Sequence, residues 1–106
     1  MTSKEMREPT FLILTSLAGA DKQHGYAIMT EVQKITDGGV NLRAGTLYAA
    51  LFRLEYLELV ENAGFEVVDG RARYYYKITT AGKKALREEV LRMRTLATIA
   101  SARLRK

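Results

Sequence analysis

The dipeptide Asp69-Gly70 constrains this chain more than any other two residues. Before it stand Leu59 to Asn62 and Phe65 to Val68, and after it Ala72 to Ile78, which includes three consecutive tyrosines. An Asp-Gly link readily supplies the positive φ angles of a tight two-residue turn, so residues 59 to 78 are expected to form an antiparallel hairpin. Whatever else the chain builds must pack around that ribbon.

Helical signals precede it. Glu8-Pro9 is a good helix opening, since proline suits the first helical position and an acid suits the positive end of the helix dipole. Phe11, Leu14 and Leu17, with Ala18, give helical spacing that ends near Gly19. A second helix is expected after Gly25, with Ile28, Val32 and Ile35 on one face and Asp37-Gly38-Gly39 as its stop. A third runs through AGTLYAALFRLEYL, with Leu47, Leu51 and Leu54 as its apolar stripe and Ala50 alongside.

After the hairpin, Thr79 suits the cap of a last helix, its hydroxyl accepting an otherwise orphan amide proton. From 81 to 106 that helix would be roughly 39 Å long at about 1.5 Å per residue. Leu86, Val90, Met93, Ala97, Ala100 and Leu104 alternate in spacings of four and three, the rhythm of a coiled-coil seam. The stripe could pack back onto helix 1. A second copy of the chain is the simplest partner for a seam on an otherwise charged helix, and both contacts could hold together.

The fold class expected is therefore mainly α with a small β-hairpin: a winged helix-turn-helix over residues 1–80 plus a long C-terminal dimerisation helix over 81–106. In that architecture the third helix enters the major groove and the hairpin wing touches backbone or minor groove. With its leucines buried, the third helix leaves Arg43, Thr46, Tyr48, Ala49, Phe52 and Arg53 outside. Small residues permit close approach to base edges, and threonine, tyrosine and arginine can bond phosphate. An ordinary surface helix would look much the same in composition.

Strand alternation splits the tyrosines. Ala72, Tyr74, Tyr76 and Ile78 share one side, expected to face the core. Arg71, Arg73, Tyr75 and Lys77 share the other, a basic face with one tyrosine among cations. A one-residue bulge in the wing would reverse that assignment.

Charge enters here because it bears on the partner. The net charge is +5. Residues 1–80 hold nine Lys/Arg against ten Asp/Glu, and residues 81–106 hold eight against two. The basic excess sits in the last helix rather than on the recognition surface. Even so, Arg43, Arg53, Arg71, Arg73 and Lys77 gather on helix and wing, with the acids there expected to face elsewhere.

Other classes fare worse. The chain has no cysteine, which excludes disulfides and thiolate metal sites and points to an intracellular, cytoplasmic setting. The charged N-terminal stretch does not resemble a signal peptide, and Phe11 to Leu14 is far too short to cross a bilayer. Lys83, Lys84, Arg87, Arg92 and Arg94 could meet anionic lipid, but Ala97 and Ala100 make a poor hydrophobic face. His24 has no accompanying ligand cluster, so a hydrogen-bonding role at a helix start is expected and no metal or cofactor. Thr46 and Ser16 lack an evident base, and Gly38-Gly39 lacks the spacing of a phosphate loop, so no enzyme is expected. A winged helix serving only as a protein-interaction module is the alternative.

Three motifs carry a resemblance. HGYAI (24–28), GTLYAALFRLE (45–55) and GRARYYYKITTAG (70–82) resemble, in order, the second-helix entry, recognition helix and wing of the PadR family of transcriptional regulators. The short C-terminus is similar to that family's compact branch, with one dimerisation helix. The resemblance implies a homodimer on a roughly palindromic double-stranded operator, usually a repressor released by a small effector. It places Thr46, Tyr48 and Ala49 on the DNA-facing helix and Arg71 and Arg73 on the wing. It also implies that the C-terminal helix packs against helix 1 and its counterpart in the other subunit.

Two positions depart from the family pattern. Glu58 stands where glycine is usual after the recognition helix, so that helix is expected to end differently. Arg43 stands where a small capping residue is common. For an effector, Met6, Phe11 and Met93 could line an apolar cleft, with core packing the plainer use.

Overall fold

A computed structural model describes residues 6–105 of the chain; the ends of the two expected segments, residues 1–5 and 106, lie outside them. Helix α1 spans Glu8–Ala18, strand β1 Gln23–His24, α2 Gly25–Ile35, α3 Ala44–Tyr56, β2 Val60–Val68, β3 Arg71–Ile78 and α4 Thr80–Leu104. The three strands form one antiparallel sheet in the order β1-β3-β2.

The hairpin forms where Asp69-Gly70 places it. Both turn residues adopt positive φ, 52° and 76°, the geometry whose twist matches that of paired strands. Strand β2 carries one extra residue between Asn62 and Phe65. Gly64 absorbs it at φ 96°, and its amide donates to the Asn62 Oδ1 at 2.8 Å. Because the bulge lies in β2, the alternation of β3 is not reversed.

The core is built from Ile13, Leu14 and Leu17 of α1, Ile28 and Val32 of α2, and Leu47, Leu51 and Leu54 of α3. Leu59 and Val60, Tyr76 of β3 and Ala85 of α4 close it. Each fully buried leucine or isoleucine contributes about 1.5–3 kcal/mol relative to exposure. On the helices, expected core positions shift. Ile35, at the end of α2, is 44% exposed, and Phe11 is only partly buried while Leu12 and Ile13 turn inward.

Strand β1 has no sequence expectation behind it, because two residues show no periodicity. Its position is held from the side: the Ser16 hydroxyl, buried in α1, donates to Gln23 Oε1 at 2.6 Å. Gln23 and His24 then pair with Tyr76 and Tyr75.

Helix α3 ends in the way that Glu58 was expected to prevent. Glu58 takes the left-handed conformation at φ 61°, and the Leu59 amide donates back to the Leu54 carbonyl at 2.9 Å. Those are marks of a Schellman termination, normally a glycine site, where a side chain costs about 1 kcal/mol. The Thr79 hydroxyl offsets this by donating to the Glu58 carbonyl at 2.7 Å. The same hydroxyl accepts from the Gly82 amide at 3.0 Å and so caps α4.

Gly82 lets that helix start hard against the sheet. A methyl group there would lie 2.1 Å from the Leu59 carbonyl oxygen. Gly82, Ala85 and Glu89 are the buried residues of α4, with Leu86 partly buried against the core. From Leu91 to Arg105 every residue is exposed, and the molecule extends to 60 Å along its longest axis.

Candidate nucleic-acid interface

With Leu47, Leu51 and Leu54 locked in the core, α3 turns a fixed face outward. Arg43, Thr46, Tyr48, Ala49, Phe52, Arg53 and Tyr56 are all exposed. Arg43 is the N-cap and makes no side-chain bond to the helix start, so its guanidinium is not used as a cap.

Tyr48 is less free than its neighbours. A methyl group built on Gly25 would fall 2.3 Å from the Tyr48 hydroxyl and 2.9 Å from its Cζ. The ring therefore lies over the start of α2, in a space that exists because position 25 has no side chain. Sequence reasoning treated Gly25 only as a helix boundary; its packing role shows only once α2 and α3 are brought together.

The wing has two unlike faces. On one, Tyr76 is buried and Ile78 half-buried, as alternation requires, but Ala72 is exposed and Tyr74 52% exposed rather than in the core. It lies farther out along the ribbon, where no helix remains to cover it, and stacks at 5.7 Å between ring centres on Phe65.

The other face carries Arg71, Arg73, Tyr75 and Lys77. The acids do not point away from it: Glu61 and Glu66 are the cross-strand partners of Lys77 and Arg73. Lys77 pairs with Glu61 at 3.2 Å, which reduces its availability for phosphate. The Tyr75 hydroxyl donates to Glu66, and that bond, with some burial, raises the phenol above its ordinary range. Arg71 and Arg73 remain exposed toward the tip.

Tyr75 also ties the wing to the helices. The His24 ring meets it edge-on at 5.5 Å, and the Lys22 ammonium lies 4.7 Å from its centroid. The Nδ1 of His24 accepts from the Ala27 amide at 3.3 Å, so His24 caps α2. That is the hydrogen-bonding role expected of it. Among the described residues no group of acidic, histidine or cysteine side chains is arranged to hold a metal ion. Nor is any helix there long and apolar enough to cross a membrane.

Away from this surface, the seam residues of α4 divide. Leu86 and Val90 are half-buried, whereas Met93, Ala97, Ala100 and Leu104 are exposed. Leu96 and Ile99 are also exposed, but at 3.6 residues per turn Leu96 flanks the seam and Ile99 points toward the opposite side of the helix. A cleft of about 350 Å³ opens where α4 meets the start of α1, lined by Met6, Phe11, Leu12, Val40 and Met93, among others. Its polar lining is Arg7, Glu8, Thr36, Arg92 and Glu89; Glu89, 3% exposed, accepts from the Arg92 Nε at 2.8 Å and its terminal nitrogen at 2.6 Å. Those hydrogen bonds outweigh burial and hold the Glu89 carboxyl below its ordinary range.

Known proteins resemble this chain in sequence and in fold. Residues 13–88 match the transcriptional regulator PadR-like family. A transcriptional regulator of Mycobacterium tuberculosis is 42% identical over 65 residues, 61% of this chain and 60% of its own length. A PadR family transcription regulator from Clostridium difficile superposes with a TM-score of 0.76 at 26% identity, covering 92% of this chain and 99% of that one. Bacillus subtilis PadR, solved in complex with operator DNA, shares the fold with a TM-score of 0.69 at 18% identity, over 79% of this chain and 47% of that one. A winged helix carrying these motifs in this order, matched across most of its length, belongs to the PadR-like family of transcriptional regulators, a family of regulators and not of enzymes.

Proposed function

We propose that the chain is a cytoplasmic, dimeric regulator that binds a roughly palindromic operator in double-stranded DNA, acting as a repressor released by a small molecule. Residues 1–80 are the DNA-binding unit and 81–106 the dimerisation helix. Arg43, Thr46, Tyr48, Ala49 and Arg53 contact the operator from α3, and Arg71 and Arg73 from the wing. One observation carries this: the face of α3 left outside by the core combines small residues with threonine, tyrosine and arginine, beside a wing tip with two exposed arginines. Small residues admit base edges, and the polar ones fix phosphates.

The second copy covers the outer half of α4. Leu86, Val90, Met93, Ala97, Ala100 and Leu104 form the contact, flanked by Leu96. An isolated helix with this many exposed apolar side chains leaves surface that association would remove from water. The effector occupies the cleft between α1 and α4, where Met6, Phe11 and Met93 offer an apolar wall.

Tyr48→Ala and Arg73→Ala test the site. Each is expected to weaken operator binding, by roughly five- to tenfold for the tyrosine and tenfold or more for the arginine, on the ordinary worth of neutral and charged hydrogen bonds. Sedimentation should show both as dimers. Two variants that shift operator fragments like the parent chain would remove the assignment.

The pairing of Lys77 and Tyr75 with acids favours a second reading, a winged helix that binds protein. Salt separates the two. Operator binding must weaken steeply with added salt as counterions are released, and a protein interface need not.

A further inference from the structure

Phe52 is 76% exposed on the outward face of α3, a large aromatic ring left mostly in solvent. Its surroundings say what could cover it. Gly45, Ala49 and Phe52 follow one another at helical spacing along the outermost line of the helix. Position 45 has no side chain and open space around it, position 49 carries only a methyl group, and position 52 carries a ring. Arg53 stands beside this line, and Arg43 caps the helix start just ahead of it, both exposed. The helix is thus bare at its leading turns, able to come close to a surface, with an apolar projection one turn behind and cations alongside. Such a profile suits an anionic surface with an apolar spot set within it.

The major-groove edge of DNA offers one such spot. Every polar atom on the base edges is a hydrogen-bond donor or acceptor, and the only apolar group is the C5-methyl of thymine. A phenyl ring can answer no donor or acceptor, so contact with any other base edge would strip water without return. We propose that Phe52 reads a thymine methyl group in the major groove, making thymine the required base at that position of the operator. The proposal rests on the assignment of α3 to the groove, and it adds the chemical identity of one base that the helix selects.

The test starts from duplexes enriched by the full-length chain out of a random pool. Each thymine of the enriched site is replaced in turn by deoxyuridine, which keeps every hydrogen-bonding atom and removes only the methyl group. The parent chain should lose about fourfold in affinity at one thymine or more, the factor expected for a single buried methyl-sized group. Phe52→Ala, whose melting temperature should match the parent because the ring packs on little, should bind thymine and uracil duplexes equally at that position. If uracil is neutral everywhere for the parent, or costs Phe52→Ala as much as the parent, the methyl contact is overturned while DNA binding stands. If no sequence is enriched at all, DNA recognition by α3 falls, and the methyl contact with it.

Discussion

Gly25 and Gly82 are both close-packed glycines, yet alanine should act differently at each. At Gly25 the added methyl meets mainly the end of the Tyr48 side chain, which can swing away, and more loosely the Leu47 Cδ2 at 3.3 Å. Gly25→Ala is therefore expected to fold at a cost of about 1 kcal/mol, the low end of overpacking. It should lose operator affinity about as much as Tyr48→Ala does. At Gly82 the methyl meets the Leu59 carbonyl, which is backbone and cannot step aside without moving the start of β2. Gly82→Ala should cost about 1–3 kcal/mol, as overpacking does, visible as a lower urea midpoint. Glu58→Gly should go the other way and gain up to about 1 kcal/mol by relieving the left-handed position. Of these residues, the sequence marked Glu58 as a departure but not the outcome. Whether a left-handed glutamate is tolerated depends on a hydrogen bond from Thr79, far along the chain, and no local pattern carries that contact.

At the scale of elements, α4 has two halves under different constraints. Its first turns are part of the domain, fixed by Thr79, Gly82 and Ala85, and its outer half extends beyond it. Placing charges at Val90 and Met93 should convert the proposed dimer to a monomer in sedimentation; an unchanged dimer would remove the seam as the contact. Acid should weaken the inner half. Glu89 is held charged by Arg92, so its folded-state pKa lies below the ordinary 4.5. Its contribution is fully present above that value and is lost as pH falls through the lowered one. Urea midpoints measured from pH 5 to pH 3 should therefore fall more steeply for the parent than for Glu89→Gln. The helices and hairpin were legible because periodicity, a proline start, a threonine cap and an Asp-Gly turn are all local signals. Strand β1, the exposure of Tyr74 and the burial of Glu89 were not, since each depends on where other elements end. Tyr74 has the inward parity of Tyr76, but the helices stop short of it.

Across the whole molecule, charge is divided in a way that bears on mechanism. The first 80 residues are nearly neutral and the last 26 carry the excess of cations. On the wing, Glu61 and Glu66 further temper the basic face. Attraction to DNA must then come from a few arginines placed by the fold: Arg43 and Arg53 on α3, Arg71 and Arg73 near the wing tip. The most direct test is the affinity of the full chain for an enriched duplex, measured from low to moderate salt. If the proposed dimer sets those four arginines of both copies against phosphates, log affinity should fall against log salt with a slope of about −7, near −0.9 per phosphate neutralised. A slope near zero, or equal affinity for a scrambled duplex of the same length, would contradict a sequence-selective DNA-binding regulator.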